Sequence, residues 1–456
     1  MVVIASAVFM SNLDLWIVNV AFVDIGTNLH ASLADVSWVL DAYAVTLAAL
    51  LIPAGRLGDR LGHRSVFLAG VTVFTVASLA CAVAPNLPIL IAARILQAAG
   101  AAAQLPSSLA LLMAAVPAES RTHAARLWSA VGAVAAVCGP VLGGLLVALD
   151  WRWVFVVNLP VGLVAVVAGL RVLPHPPARP REPLPDLLGA VLLVVAVASL
   201  TGALVQAPAW GWTAGRTVAL LAVAIAGTAL FLRRCARHSS PLVELHLMRV
   251  RRFAIANAGT AAFSAAFAIM LLSNALWCQQ VWHYSPLRTG FAMAPGPLMV
   301  PFVTVWSARL VHRVGLAPLT AVGSLLFAAG LGWRIAAGGT TPNYLADLLP
   351  SMIIGGIGVG LALSSFIAAG ATALPAERAA TASGTVNSGR QIASALGVAV
   401  LVTVLGTGGS VVSNFDDGWW IAIALSLVAG AIGLGLADRP VPAPAAARTE
   451  EATAGR

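Results

Sequence analysis

The chain contains no lysine and few charged residues of any kind. Charged residues make up 9% of its 456 positions, whereas hydrophobic residues make up 60%. Because soluble domains carry about 25% charged residues, this composition excludes a protein that is surrounded by water on all sides. The four cysteines are too scattered for a metal motif or a disulfide framework. We therefore expect neither a metal site nor a disulfide bond.

The chain consists largely of long apolar runs. A helix needs about 20 apolar residues to cross a bilayer, and fourteen runs approach or exceed that length. The predicted fold class is therefore an all-α membrane protein. The first run begins almost at Met1 and contains Asn12, Asp14 and Asn19, so we expect a membrane span there and not a cleaved signal peptide. The runs lie at about 2–23, 36–54, 65–84, 87–115, 127–149, 153–173, 187–206, 217–232, 254–281, 291–310, 316–336, 345–374, 383–405 and 419–436.

Arginine supplies all of the formal positive charge, and the net charge is +9. If the N-terminus is cytoplasmic, nearly all loop arginines lie on the cytoplasmic side, as the positive-inside rule requires. The arginines expected on the outer side are Arg152, Arg216, Arg288 and Arg334. We therefore expect both termini in the cytoplasm. Arginines dispersed over short loops do not form a continuous phosphate-binding patch, so we expect no nucleic-acid partner.

Two short motifs recur at long range along the chain. RLGDRLG at 56–62 matches RLVHRVG at 309–315, and VPAESR at 116–121 resembles LPAER at 374–378. An offset near 255 residues gives each half six spans and leaves two spans between the halves. The predicted organisation is a six-helix bundle over 1–173, linkers with a two-helix insert over 174–252, a second six-helix bundle over 253–437, and a disordered cytoplasmic tail over 438–456.

Six motifs carry a family resemblance: LDLWIVNVA at 13–21, GRLGDRLGHR at 55–64, ARILQAAGAA at 93–102, GAVAAVCGPVLGG at 132–144, WRWVFVVNLP at 151–160 and NSGRQIASALGVA at 387–399. Together they resemble the fourteen-helix drug:proton antiporter branch of the major facilitator superfamily, over essentially the whole chain. The resemblance implies two six-helix bundles plus a central two-helix insert. It also implies that substrate is bound between the halves and that access alternates between the two sides of the membrane.

The loop motif at 55–64 is predicted to take part in conformational change. Its glycines allow a tight turn, while Asp59 beside Arg60 and Arg64 offers charge pairs that form in one state and break in another. An ordinary positive-inside loop with turn glycines is the alternative. The residues of the motif are Gly55, Gly58, Asp59, Arg60, Gly62 and Arg64.

The fifth-span motif resembles the signature of antiporters and implies export by exchange. Its residues are Gly139, Pro140, Gly143 and Gly144. Small residues let membrane helices approach closely, and an interior proline bends a helix, so we expect this span to pack tightly and to shape an interface. The alternative is that glycine and proline are simply commoner in membrane helices than in soluble ones.

Three charged residues inside spans are candidates for proton coupling. Asp14 lies near the middle of the first span, where an acid is a functional-site hypothesis by default; a structural carboxylate paired with a neighbour is the alternative. Arg94 either faces a cavity as an electrostatic modulator of Asp14 or extends its charged end to the outer interface. Three roles are open for Asp41: attracting cationic substrates, titrating, or capping a helix end.

Polar and aromatic residues inside spans predict a substrate cavity. In the ninth span, Ser273, Trp277 and Gln280 share one helix face. Such a mixed wall suits bulky amphiphiles, although plain helix packing explains it equally well. The predicted cavity residues are Trp16, Asn19, Tyr43, Asn274, Trp277, Gln279, Gln280, Asn387, Arg390 and Gln391.

The energy source and the substrate class follow from the remaining features. The chain has no P-loop, zinc motif or nucleophile elbow, and its loops are too short for a catalytic domain, so we expect neither an enzyme nor a cofactor. With the resemblance, this predicts a monomer in the lipid bilayer of the bacterial cytoplasmic membrane that exports small amphiphilic drugs or antibiotics in exchange for protons. A narrow exporter of one self-made antibiotic and a non-transporting membrane sensor are the alternatives.

Overall fold

Our structure of the chain is a computed structural model that describes residues 2–437, apart from 118–119, 174–184, 239 and 376–377. Fourteen of its helical segments are long and apolar enough to cross a membrane. The predicted all-α class and the number of spans are therefore confirmed. The predicted tail at 438–456 and most of the linker before the insert lie outside the described residues.

The helices follow the apolar runs of the sequence. Two spans are interrupted, since α6 and α7 together cross the membrane once and α11 and α12 together cross it once. The helices are α1 (Val2–Asn28), α2 (Leu33–Leu61), α3 (His63–Ala82), α4 (Leu87–Ala115), α5 (Arg121–Val147), α6 (Trp153–Val156), α7 (Asn158–Val172), α8 (Leu187–Trp210), α9 (Gly215–Arg237), α10 (Arg251–Leu276), α11 (Pro286–Met293), α12 (Pro295–Val314), α13 (Leu316–Ala337), α14 (Leu348–Ala371), α15 (Ala379–Leu405) and α16 (Val411–Leu434).

Short polar side chains and glycines set several helix ends. Ser32, Asn86 and Asp186 precede α2, α4 and α8, and each side chain accepts a hydrogen bond from the backbone N–H three residues later. Gly62 ends α2 with φ +93° and Gly315 ends α12 with φ +79°, in a region of backbone conformation that favours glycine. Both glycines lie in the loops that the sequence repeat matches, so the two loops turn in the same way.

The two halves share one packing pattern. In the first half α1 packs on α5 and α3 packs on α4, while in the second half α10 packs on α15 and α13 packs on α14. The halves meet along two seams, α2 against α15 and α5 against α11. The insert helices α8 and α9 pack on each other, and α8 also contacts α2 and α15 beside the first seam.

The alternation of the helices gives the molecule two ends. We call the end with Gly62 and Gly315 the arginine-rich end, because Arg56, Arg60 and Arg309 lie in or beside these turns. The opposite end, which we call the far end, holds the C-terminal end of α5 and the N-terminal end of α11. The largest cluster of buried hydrophobic side chains includes residues from both halves and forms the centre of the bundle between these ends.

Candidate functional site

A buried ion pair lies between α1 and α4. Asp14 on α1 is 0% exposed and Arg94 on α4 is 1% exposed, and Arg94 Nη1 donates to Asp14 Oδ2. Gln97, one turn after Arg94, bridges the pair: its Oε1 accepts from Arg94 Nη1 at 2.6 Å and its Nε2 donates to Asp14 Oδ1 at 2.9 Å. Because an unpaired charge in such surroundings is strongly destabilising, each member of the pair depends on the other.

Two further side chains extend these contacts across the first half. Ser78 Oγ on α3 accepts from Gln97 Nε2 at 2.8 Å and from Asn158 Nδ2 at 3.3 Å. Asn158, the first residue of α7, also donates to Asp14 Oδ1 at 3.3 Å. We call Asp14, Ser78, Arg94, Gln97 and Asn158 the polar network. It joins four helices, and every member is buried.

Arg94 is held on its remaining sides by backbone and aromatic groups. Its Nε donates to the Val39 carbonyl at 3.0 Å, and its guanidinium carbon lies 4.1 Å from the ring centroid of Tyr43 and 5.8 Å from that of Phe155. A side chain enclosed in this way does not extend its charged end to the membrane interface. Tyr43, expected to line the cavity, instead packs against Arg94.

A cavity of about 110 Å³ lies between the two halves. Trp16 on α1 lines it from the first half, and Phe267 and Met270 on α10 face it from the second, with further residues of α12, α13 and α14. Its walls are mostly apolar, and Arg390 on α15 is the single charged side chain among the described lining residues. A mostly apolar wall with one charged group suits the apolar body and the polar end of an amphiphile.

Some of the predicted cavity residues lie at this cavity. Trp16 and Arg390 line it, and Asn387 accepts a hydrogen bond from Arg390 Nη2 at 3.3 Å. Asn274 lies just behind the wall, where its Nδ2 is 3.1 Å from the sulfur of Met270 and 3.4 Å from that of Met352, and both methionines line the cavity.

Other predicted cavity residues lie away from its described lining. Asn19 donates to the Leu15 carbonyl of its own helix at 3.0 Å, and Gln279 donates to the Val20 carbonyl at 2.9 Å. Gln280 is exposed and Gln391 is buried. One reason is local: Trp277–Val281 forms a π-helical turn, which has more residues per turn than an α-helix, so the expected helix face does not continue to Gln280.

Trp277 belongs to a cluster around Arg334. Arg334 was not among the site residues predicted from the sequence. The Arg334 guanidinium carbon lies 4.8 Å from the ring centroid of Trp277 and 4.9 Å from those of Trp282 and Trp419. Arg334 is 0% exposed, and none of its side-chain nitrogens has an acceptor among the described residues. Arg334 lies near the far end of α13, within the predicted span 316–336, and three indole rings cover it there. Its position inside an apolar run was the available signal.

Asp41 is buried apart from both the polar network and the described cavity lining. It is 0% exposed, and among the described residues no donor lies within hydrogen-bond geometry of either carboxylate oxygen. The Ser37 hydroxyl, one turn earlier, donates to the Ala34 carbonyl at 2.8 Å. The helix-capping role does not fit, because α2 begins at Leu33 and Ser32 caps it. The other two expected roles stay predictions.

Two glycines of the fifth-span motif face α1. A Cβ on Gly143 would lie 3.1 Å from the Ile17 carbonyl oxygen. Gly139 packs directly against the Trp16 side chain, with no room for a Cβ. The absence of side chains therefore lets α5 approach α1 and hold Trp16 beside the cavity.

The rest of this motif meets the second half at the far end. A Cβ on Gly144 would lie 2.6 Å from the Pro286 carbonyl oxygen and 2.9 Å from Leu287 Cα. In the opposite direction, Gly290 of α11 packs directly against the Pro140 carbonyl. Backbone thus meets backbone across the seam between α5 and α11 at the far end. We call this contact the far-end seal.

The loop motif at the arginine-rich end is also tightly packed. Gly58 leaves a hypothetical Cβ only 2.5 Å from His63 Nδ1, whereas Gly55 faces Pro106 at an ordinary 3.6 Å. Asp59 Oδ1 lies 3.2 Å from His63 Nε2, and Arg64 Nη2 donates to the Leu170 carbonyl at 2.5 Å. In this state Asp59 pairs with a histidine, and the expected pair with Arg64 is not formed.

Comparison with known proteins identifies the family of this chain. The model of the Major Facilitator Superfamily matches residues 4–398. The chain is 33% identical to the methylenomycin A resistance protein of Streptomyces coelicolor over 94% of this chain and 90% of that protein. It is 36% identical to the multidrug resistance protein Stp of Mycobacterium tuberculosis (87% and 74% covered) and 34% identical to the tetracenomycin C resistance and export protein of Streptomyces glaucescens (91% and 77% covered).

Solved structures share the fold. A crystal structure of a POT family transporter in complex with 5-aminolevulinic acid aligns with a TM-score of 0.71 over 96% of both chains, at 14% sequence identity. A second, of a peptide transporter POT in complex with sulfate, aligns with a TM-score of 0.71 over 95% of this chain and 93% of that one, at 18% identity. At these identities the likeness concerns the fold alone.

Proposed function

The chain belongs to the major facilitator superfamily, and we propose on that premise that it exports amphiphilic drugs or antibiotics across a bacterial cytoplasmic membrane in exchange for protons. The observation that carries the proposal is the mostly apolar cavity between the halves, with the far-end seal joining the halves at one end of the bundle. Relatives named for resistance to methylenomycin A, tetracenomycin C and multiple drugs support this class of substrate.

The direction of transport follows from the orientation of the two ends. The positive-inside rule favours the arginine-rich end in the cytoplasm, with both termini on that side. The far-end seal then faces outwards, so this state would receive substrate from the cytoplasm. Rocking of the halves about their seams would open the seal and release substrate outside, as in other transporters built from two six-helix repeats.

Proton coupling is proposed to run through α1. Asp14 and Trp16 are two residues apart, about 200° around the helix, so the polar network and the cavity lie on opposite faces of α1. Protonation of Asp14 would remove the charge that balances Arg94 and leave a buried guanidinium without a counter-ion. That would weaken the packing of α1 on α4, and α1 would transmit the change to Trp16.

Transport by purified protein tests the whole proposal. Proteoliposomes would be given a pH gradient and a panel of amphiphilic antibiotics, and uptake would be followed by mass spectrometry. We expect accumulation that stops when an ionophore collapses the gradient. Accumulation that is indifferent to the gradient would overturn proton coupling, and the absence of flux for every compound would overturn export.

Matched variants test the role of Asp14. Asp14→Asn is expected to bind antibiotic but to lose gradient-driven accumulation. Because this variant leaves Arg94 unpaired, the double variant Asp14→Asn with Arg94→Gln removes both charges and keeps the site neutral. Asp417→Asn, at an exposed acid on α16, is the control and should transport like the unmodified protein. Full coupling in both Asp14 variants would remove Asp14 from the proton role.

A narrower exporter is the second candidate function. Two of the relatives are named for a single antibiotic each, methylenomycin A and tetracenomycin C. Susceptibility of an expressing strain to a panel of unrelated antibiotics distinguishes the candidates. Protection against one compound class favours the narrow exporter, whereas protection against several unrelated classes favours multidrug export.

A further inference from the structure

The charges around the cavity are unbalanced. Arg390 is the single ionisable side chain among the described residues that line it, and no carboxylate is among them. Asp14 lies on the other face of α1, where Arg94 and Gln97 occupy its oxygens. Asp41 is buried away from the described lining. A cationic substrate would therefore meet a positive charge in the cavity without a carboxylate to balance its own.

Arg390 has hydrogen-bond donors that lack an acceptor among the described residues. A guanidinium offers five N–H donors in a planar fork. Among the described residues, Arg390 donates a hydrogen bond to Asn387, whose Oδ1 accepts from Nη2 at 3.3 Å. Its Nε is buried and lacks an acceptor among the described residues. Leaving buried donors of a charged group unmade costs more than an average hydrogen bond contributes, so an oxygen-bearing anion in the cavity would relieve this cost.

A second buried cation, Arg334, lies on a helix that lines the cavity. Phe327 and Leu331 of α13 line the cavity, and Arg334 follows on the same helix face one turn later. Asp347 and Asp416 influence Arg334 electrostatically, yet no acceptor contacts its nitrogens within the described part of the chain. The two aspartates offset part of the charge of Arg334, so Arg390 is the cation that a molecule in the cavity meets directly.

We propose that the cavity prefers amphiphiles with an anionic group, such as a carboxylate or an ionised enol, and that Arg390 binds this group. The apolar body of the molecule would contact Trp16, Phe267 and Met270. The proposal rests on the proposed export function and names the substrate class of the same cavity. Neutral amphiphiles are accepted less well, and cationic ones are disfavoured by Arg390.

A matched set of three probes tests the preference without any variant. Dansylglycine carries a carboxylate, dansylglycinamide is neutral, and dansyl-ethylenediamine carries an ammonium group, while the fluorophore is the same. Titration of the full chain in phosphatidylcholine nanodiscs, followed by dansyl fluorescence, gives the three dissociation constants. We expect the carboxylate to bind about tenfold to a hundredfold more tightly than the amide, as charged hydrogen bonds allow, and the cation to bind most weakly. Equal binding of all three, or tightest binding of the cation, would overturn the proposal.

Variants assign the preference to Arg390. Arg390→Gln should abolish the preference for the carboxylate and leave binding of the amide unchanged, whereas Arg390→Lys should retain part of it. Arg216→Gln is the matched control, because Arg216 lies in the insert against Trp210 and outside the lining of the cavity. Equal weakening of all three probes in Arg390→Gln would mean that Arg390 only supports the helix packing.

The same probes separate this proposal from export itself. In proteoliposomes with a pH gradient, accumulation of the cationic probe in preference to the carboxylate would overturn the anion preference and leave proton-driven export intact. Selective binding of the carboxylate without flux of any probe or antibiotic would overturn export and leave the binding preference intact.

Discussion

Asp14 and Arg94 show how two charges can stay out of water inside a membrane bundle. Each is almost completely buried, and each is satisfied by more than the other: Gln97 and Asn158 donate to Asp14, while Val39 accepts from Arg94. The Coulombic attraction of a buried pair compensates for its desolvation only when such additional hydrogen bonds are present. The energetic importance of the pair therefore lies in the penalty for removing one member.

That penalty makes a prediction about stability. Arg94→Gln should lower the free energy of unfolding by about 3–5 kcal/mol, because it leaves the Asp14 carboxylate buried and unpaired. Adding Asp14→Asn should restore part of this loss, with a coupling between the two sites of about 0.5–3 kcal/mol. The measurement is thermal unfolding of the four proteins in the same detergent, converted to a double-mutant cycle. Additive losses in the double variant would contradict a functional ion pair at this position.

Arg334 illustrates what local sequence does not reveal about a single residue. The predicted span 316–336 places Arg334 near its outer end, and the residue does lie within one turn of the end of α13. Its burial comes from three tryptophans: Trp277 in the π-helical turn that follows α10, Trp282 directly after that turn, and Trp419 on α16. A cation over an aromatic ring is stabilised by about 0.5–2 kcal/mol, so three rings replace much of the lost hydration. No sequence pattern predicts that these three rings converge on Arg334.

At the scale of helices, the far-end seal is a contact between two backbones. Gly144 and Gly290 have no side chains, so α5 and α11 approach until the carbonyls of Pro286 and Pro140 fill the space. Van der Waals contact over a short stretch is weak for each atom pair, but it needs close complementarity and is lost quickly when helices move apart. Such a contact suits a seam that must open during transport.

A single methyl group tests the seal. Gly144→Ala should force α5 and α11 apart at the far end, because the new Cβ would lie 2.6 Å from the Pro286 carbonyl oxygen. We expect spin labels attached at Leu149→Cys and Leu345→Cys, two exposed far-end positions in different halves, to move apart by several Å in pulsed dipolar spectroscopy.

The control for this prediction is another glycine inside a helix. No atom lies within 4 Å of a hypothetical Cβ on Gly332 of α13, so Gly332→Ala adds a methyl group without a clash. It should leave the label distances unchanged and stabilise the helix by about 0.5–1 kcal/mol, the usual difference between glycine and alanine. Unchanged distances in Gly144→Ala would show that the seal tolerates the methyl group and does not control opening.

At the scale of the whole molecule, the halves repeat in packing but differ in chemistry. Both use the same helix neighbours and the same glycine-ended turn after their second span. The first half contains a balanced ion pair, whereas the described second half contains the unpaired Arg334 and Arg390. The Gly139–Pro140 pair has no counterpart in α15 of the second half. We therefore propose a division of labour, with proton coupling in the first half and recognition of the substrate's charged group in the second.

The orientation of the molecule makes a prediction that chemical labelling can check. With the four native cysteines replaced by alanine, Leu149→Cys at the far end should react with a membrane-impermeant maleimide in intact spheroplasts. Leu61→Cys at the arginine-rich end should react only after the membrane is permeabilised. The physical reason is the retention of arginine-rich loops on the cytoplasmic side. The reverse pattern of labelling would place both termini outside and would contradict the proposed direction of export.

The sequence by itself determined the number of spans and the family. Spanning length and hydropathy are properties of consecutive residues, because each membrane helix must satisfy its own backbone hydrogen bonds. The motifs at 55–64 and 132–144 likewise act through local turns and small residues, and both lie at the helix contacts that such residues permit.

Only the tertiary structure decided which polar groups meet. Asp14, Ser78, Arg94 and Asn158 come from four helices, and their convergence depends on how each helix is rotated about its axis. The rotation of each helix is set by packing against several neighbours at once, so it cannot be predicted from any one segment of the sequence. Helix rotation likewise decides that Trp277 lies against Arg334 and that Trp16 and Arg390 line the cavity.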